Sequence, residues 1–219
     1  MGPAAHREPA ASLHAIVDVD ASTRAGLRAP DVARAYLAGG ARVLQVRAKA
    51  LGSRDFLDLA DACVAAARPF NATVIVNDRA DIARLAGAAG VHVGQDDMAV
   101  GAVRRLVGDA AIVGRSTHTI PQIEAALAEP ISYLAVGPVF GTATKETGYD
   151  AVGLTLVREA VRRAGSLPVV AIGGITLENA SSVIDAGAAS VAVIGDLLTG
   201  VDPERRARAF LQRLADNRL

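Results

Sequence analysis

Val43-Leu44-Gln45-Val46-Arg47-Ala48-Lys49, followed shortly by Phe56, Leu59, Ala60, Cys63 and Val64, changes its periodicity once. The run 43–46 is apolar at three of its four positions, and from Gln45 onward period two sets Gln45, Arg47 and Lys49 on one side, with Val46 and Ala48 on the other. The second set recurs at three- and four-residue spacing, which predicts a helix with one apolar face. A buried strand that hands over to such a helix is one β-then-α unit.

The same handover recurs in both directions along the chain. Short runs rich in Val and Ile stand at 13–19, 43–46, 73–76, 90–93, 111–114, 133–136, 169–172 and 190–194. Helical stripes lie between them: Val32, Ala35 and Tyr36, stopped by Gly39-Gly40; Leu154, Val157, Ala160 and Val161; and a last segment, 203–219, with Ala207, Phe210, Leu211 and Leu214 on one face and arginines on the other. Eight strands alternating with helices predict right-handed crossovers and a closed parallel (β/α)8 TIM barrel. An open doubly wound sheet is the alternative, but no G-x-G-x-x-G follows the first run. No linker or composition break follows Ser12, so 13–219 is expected to be a single barrel domain and 1–12 a flexible N-terminal extension.

Composition narrows the function. The 219 residues are 51% hydrophobic and 21% charged, which is globular. Basic and acidic residues number 23 each, aromatics are 3% and Trp is absent, so neither a basic surface nor a base-stacking platform for nucleic acid is expected. One cysteine, Cys63, excludes an internal disulfide or a cysteine metal cluster. No apolar run approaches the roughly 18 residues of a membrane span, and residues 1–12 lack the apolar core of a secretory signal. A reducing cytoplasm is the expected compartment; a homo-oligomer is allowed but not specified.

In such a barrel chemistry sits at the C-terminal strand ends and the loops beyond them. The second strand offers Gln45, Arg47 and Lys49, which facing a lumen require an anion to compensate them. Lys49 and Lys145 are the two lysines among 23 basic residues, so a compact ammonium is expected at both. The third strand ends Asn77-Asp78-Arg79 and the fourth Gly94-Gln95-Asp96-Asp97. Carboxylates at adjacent strand ends can share one hard cation such as Mg²⁺, with Asp78 and Asp97 the candidates and Asp96 a substitute. Capping of the following helices is the competing role for both. After the fifth strand, Ser116 is the ligand candidate, His118 reads as structural, and Thr119 before Ile120-Pro121 reads as a helix cap.

The sixth strand leads into Gly141-Thr142-Ala143-Thr144-Lys145-Glu146-Thr147-Gly148-Tyr149, a phosphate cradle of hydroxyls, glycines and one ammonium. Ile172-Gly173-Gly174-Ile175 and Val193-Ile194-Gly195-Asp196 close the last two strands. Glycines there mark the phosphate site usual for this barrel class. A charged cluster suited to a polyanion and an uncharged glycine site suited to a phosphate monoester together point to two phosphorylated substrates.

These blocks resemble the thiamine phosphate synthase family: Gln45-x-Arg47-x-Lys49, Asn77-Asp78-Arg79, Gly90-Val91-His92-Val93-Gly94-Gln95-Asp96-Asp97, Ser116-x-His118-Thr119, Gly137-Pro138-Val139-Phe140-x-Thr142-x-Thr144-Lys145 and Ile172-Gly173-Gly174-Ile175. They span about 13–198 in the family's order. The resemblance implies an alkyl transferase of thiamine biosynthesis. It would join 4-amino-2-methyl-5-(diphosphooxymethyl)pyrimidine to hydroxyethylthiazole phosphate, or its carboxylated form, with loss of pyrophosphate through a stabilised pyrimidine methylene cation. By the same resemblance, Asp78 and Asp97 bind Mg²⁺, and Gln45, Arg47, Lys49, Asn77 and Lys145 hold the diphosphate. Ser116 contacts the pyrimidine. Thr142, Thr144 and the backbone of Gly174, Ile194 and Gly195 lie by the thiazole phosphate. Arg47, Lys49, Lys145 and Ser116 would act in catalysis. No Ser–His or Cys–His nucleophile pair is evident, which suits a dissociative step.

Two positions depart from the family pattern. Gly195 stands where the family often has Ser, and Arg115 where many members carry a smaller residue. Two rival functions share the barrel: a thiazole tautomerase, disfavoured by the full set of Asp78, Asp97, Asn77, Lys49 and Lys145, and a non-catalytic thiamine-phosphate-binding barrel.

Overall fold

A computed structural model describes residues 12–141, 149–200 and 202–216. The strands are β1 (Ser12–Asp18), β2 (Val43–Arg47), β3 (Thr73–Asn77), β4 (Gly90–Val93), β5 (Ile112–Thr117), β6 (Tyr133–Val136), β7 (Val169–Ile172) and β8 (Ser190–Val193). The helices are α1 (Val19–Arg24), α2 (Ala29–Ala38), α3 (Ser53–Ala67), α4 (Ala80–Leu85), α5 (Val100–Val107), α6 (Ile120–Leu127), α7 (Gly153–Ala164), α8 (Ala180–Asp185) and α9 (Pro203–Asp216). The strands pair in chain order, all parallel, and β8 returns to β1 through Ala15 opposite Val193. The sheet is therefore closed, which removes the open-sheet alternative. Of the expected N-terminal extension, 1–11 lie outside the described residues, and Ser12 already belongs to β1.

The outward faces of the strands and the stripes of the helices form one apolar layer. Phe56, Leu59, Ala60 and Cys63 of α3 and Ala207, Phe210 and Leu214 of α9 are buried in it. Removing each large side chain from water contributes about 1.5–3 kcal/mol. Burial raises the Cys63 thiol to about 12, so the one cysteine is an inert core residue. A second, smaller cluster fills the lumen with Ile16, Val43, Ile75, Tyr133, Ala135, Val170 and Ala192, the inward set that period two predicts. Tyr133 is the largest of them. A Cβ on Gly114 would lie 2.0 Å from its ring, so the glycine of β5 makes room for the tyrosine of β6.

One local expectation changes. The fifth strand runs three residues past Gly114, so Ser116 and Thr117 belong to the strand and not to the loop after it. Their hydroxyls interrupt the apolar run that defined the strand in sequence. The short helices α1, α4 and α8, six residues each, carry too few apolar positions for a clear stripe.

Candidate active site

All the strand ends singled out in the sequence meet at one mouth of the barrel, because the strands are parallel. On β2, Gln45 is buried and Arg47 follows it on the lumen side. Arg47 pairs with Asp18 at the end of β1, its register partner. The Asp18 carboxylate also accepts the Ala21 N–H at 2.7 Å, capping α1. The buried Arg47 Nε–H has no hydrogen-bond partner among the described residues. A buried donor without an acceptor is costly, so this guanidinium is built to receive one. Asp18 is a site residue that the sequence reading missed; the strand-end rule applied to the first strand would have found it.

Lys49 pairs with Asp78, just past β3, and half of the lysine side chain stays exposed. Asp78 has φ +64, in the left-handed region that non-glycine residues seldom occupy and that Asp and Asn tolerate best. Its N–H bonds the His92 carbonyl at 2.7 Å. The carboxyl of Asp78 is hydrogen-bonded to that of Asp97 and to Lys49. Burial first, and then the Asp97 carboxyl, raise its pKa above the ordinary carboxylate range, outweighing Lys49. Asp97 also accepts the Gly94 N–H at 2.7 Å. Neither aspartate serves as a cap: α4 is capped by Arg79 and α5 by Ala99, both without side-chain bonds. Asp96 is exposed while Asp97 turns inward, so Asp97 is the partner of Asp78.

The other side of the mouth is a cavity of about 290 Å³. Ser116, His118, Pro138, Ile172, Gly174 and Ile194 are among its lining residues, and Gly173, Ile175, Gly195 and Asp196 contribute as well. Gly173 and Gly174 have φ +100 and +63. A Cβ on Gly174 would lie 2.5 Å from the Gly141 carbonyl oxygen, so only glycine lets the loops after β6 and β7 meet here. Asp196 pairs with Arg206 of α9 at 2.6 Å. Thr119 caps α6 as expected. His118 stacks on Tyr149 with ring centroids 4.0 Å apart. Thr142, Thr144 and Lys145 lie outside the described residues.

The two sides join at β4 and β5. Arg115 donates to the Gly94 carbonyl at 2.7 Å, and the Gln95 amide donates to the Ser116 carbonyl at 2.5 Å. The loop carrying Asp97 is thereby tied to the strand carrying Ser116, which gives Arg115 a structural purpose. Asn77 is buried opposite His92 in the β3–β4 register. The sequence reading also missed His92, whose ring bonds Ser116 Oγ at 2.8 Å.

The pair Asp78 and Asp97 fits a hard divalent cation. Two carboxyls are held in contact at a cost that burial increases, and oxygen donors of this kind are what Mg²⁺ takes from proteins. Among the described residues no cluster of three or more metal-ligating side chains exists, which leaves a two-carboxylate arrangement. No helix among the described residues is long and apolar enough to cross a membrane.

The chain was compared with known proteins. A relative from Koribacter versatilis named thiamine-phosphate synthase is 48% identical over 204 residues, covering 92% of this chain and 95% of that protein. One of the same name from Thermus thermophilus is 46% identical over 178 residues, covering 81% and 85%. The solved structure of a thiamine phosphate pyrophosphorylase from Pyrococcus furiosus superposes with a TM-score of 0.85 at 27% identity, over 95% of this chain and 97% of that one. The family model described as thiamine monophosphate synthase matches residues 13–197. With a closed barrel, these strand ends and that match, the chain belongs to the thiamine monophosphate synthase family and is a transferase.

Proposed function

We propose that the chain is a thiamine-phosphate synthase that condenses 4-amino-2-methyl-5-(diphosphooxymethyl)pyrimidine with hydroxyethylthiazole phosphate, or its carboxylated form. The observation that carries this reading is the juxtaposition at one mouth of a charged cluster and a glycine-lined cavity whose one carboxylate among the described residues, Asp196, is paired with Arg206. The cluster takes the diphosphate. Arg47 offers its unpartnered Nε–H, Lys49 leaves Asp78 for the anion, and Gln45, Asn77 and Lys145 complete the set. Asp78 and Asp97 would hold Mg²⁺, which when bound supplies charge compensation to the diphosphate. The cavity takes the thiazole phosphate on the backbone of Gly174, Ile194 and Gly195; Thr142 and Thr144 are assigned to the same phosphate by the family resemblance.

The chemistry follows from that division. The bond between the pyrimidine methylene carbon and the diphosphate oxygen breaks, and its electron pair leaves with the diphosphate. Arg47, Lys49 and Lys145 stabilise the charge that develops there. The thiazole nitrogen then donates its lone pair to the methylene carbon. Ala135, Pro138, Ile172 and Ile194 in the cavity wall keep water from the cationic carbon. Ser116 contacts the pyrimidine at the seam between the two sides.

Mixing both precursors with Mg²⁺ tests this. One pyrophosphate should appear per thiamine phosphate formed. Turnover of the thiazole alone without pyrophosphate would make the chain a tautomerase; binding without turnover would make it a sensor.

A further inference from the structure

Ser116 Oγ is one end of a hydrogen-bonded chain that runs into the barrel. It lies 2.8 Å from His92 Nε2, and His92 Nδ1 lies 2.8 Å from the Tyr133 hydroxyl. The two rings stack, with centroids 5.5 Å apart and planes 18° from parallel. Ser116, His92 and Tyr133 are 5%, 7% and 1% exposed. Water therefore competes little for these bonds. Tyr133 is held in place by the bare Cα of Gly114, and the Ser116 carbonyl is fixed by Gln95. The freedom left at the cavity edge is the direction of the Ser116 O–H.

A neutral imidazole carries one proton and offers one lone pair. Of its two neighbours here, the phenol is the more acidic, with an ordinary pKa near 10. It is thus the better donor and the poorer acceptor. The favoured arrangement has the Tyr133 O–H donating to His92 Nδ1. The His92 proton then sits on Nε2 and is donated to Ser116 Oγ. With one of its two lone pairs so engaged, Ser116 Oγ keeps its O–H free to donate into the cavity.

We infer that His92 and Tyr133 are positioning residues that keep the Ser116 O–H free to donate, so that this edge of the cavity takes a heteroaromatic ring nitrogen with a free lone pair. The inference rests on reading Ser116 as the pyrimidine contact. It adds the residues that set the polarity of that contact and the ring feature being read. A ring nitrogen with a lone pair can then accept the Ser116 O–H, which the opposite imidazole tautomer would commit to His92.

Two measurements test it. In the wild-type protein without ligand, nitrogen-15 resonances of the His92 ring should show the proton on Nε2, and Tyr133→Phe should weaken that preference. A proton on Nδ1 in the wild type overturns the inference. In the second, kcat/KM for the pyrimidine diphosphate is followed at saturating thiazole phosphate. His92→Leu should lower it roughly three- to tenfold, as one lost hydrogen bond does, with the thiazole phosphate KM within about twofold of wild type. His92→Gln, which keeps an amide N–H in reach of Ser116, should recover most of the loss. His92→Leu combined with Ser116→Ala should be no worse than Ser116→Ala alone. Multiplying losses in the double variant, or both KM values rising together, would show that His92 acts through packing and not through Ser116. If wild type releases no pyrophosphate, the functional reading fails, and the nitrogen resonances still decide the polarity.

Discussion

From β1 to β4 the barrel mouth is furnished with charges that answer one another: Arg47 with Asp18, Lys49 with Asp78, Asp78 with Asp97. From β5 to β8 the cavity lining has one carboxylate, Asp196, and it is turned to Arg206 of α9. Everything else described there is glycine, aliphatic or hydroxyl, with His118 the remaining ionisable group. One side is built from charges that pair with one another, the other from backbone that comes close because side chains are missing. On the proposed division a polyanion would take Lys49 from Asp78, whose carboxyl would then be compensated by the cation proposed for it. On the same proposal a monoester on the second side would meet backbone N–H groups fixed before it arrives.

The sharpest way to break this contrast is to neutralise the carboxylate pair. Asp78→Asn and Asp97→Asn should each lower Mg²⁺-dependent turnover by about 10²–10³-fold or more, the range for a lost transition-state charge interaction. Asn also tolerates the left-handed backbone at position 78, so thermal unfolding of Asp78→Asn should stay near wild type. Asp78→Ala should add backbone strain of roughly 1 kcal/mol and a lower Tm. Wild-type turnover in both Asn variants would remove the two-carboxylate assignment.

Lys49→Arg and Lys145→Arg come next, because a planar fork replaces a point charge. A loss of roughly 10- to 100-fold in kcat is expected, as for a charged hydrogen bond of about 1.5–3 kcal/mol. Unchanged rates would mean that the scarcity of lysine carried no information. On the opposite side, Gly174→Ala should raise the thiazole phosphate KM and destabilise the fold by about 1–3 kcal/mol, leaving the pyrimidine KM alone. A matching rise in both KM values would show that the two sides are not independent. The smallest effect expected is a gain. Gly195→Ser restores the hydroxyl common in the family and should lower the thiazole phosphate KM roughly two- to tenfold.

The barrel was legible because its two periods are strong. Val169–Ile172 and Tyr133–Val136 are bounded by the same residues in sequence and structure. Boundaries failed where polar residues occupy a strand: Ser116 and Thr117 continue β5 although their hydroxyls resemble a loop. That Asp78, Asp97, Arg47 and Lys49 would lie together at one mouth was legible because each stands at or just past a strand end, and parallel strands bring those ends to one side. Their mutual pairing was not, since it depends on which strand ends adjoin. His92 and Tyr133 lay beyond the sequence for the same reason. They are 41 residues apart, and each alone reads as an ordinary core residue. Only the closed register, with His92 opposite Gly114 and Gly114 opposite Tyr133, brings them to Ser116.

The division of the mouth is tested most directly by a crystal structure with Mg²⁺, pyrophosphate and thiamine phosphate bound together. The diphosphate should lie on Arg47, Lys49 and the Asp78–Asp97 pair, with the Lys49–Asp78 contact opened, and the phosphate monoester on Gly174 and Gly195. Both phosphates on one side, or the two exchanged, would contradict the account.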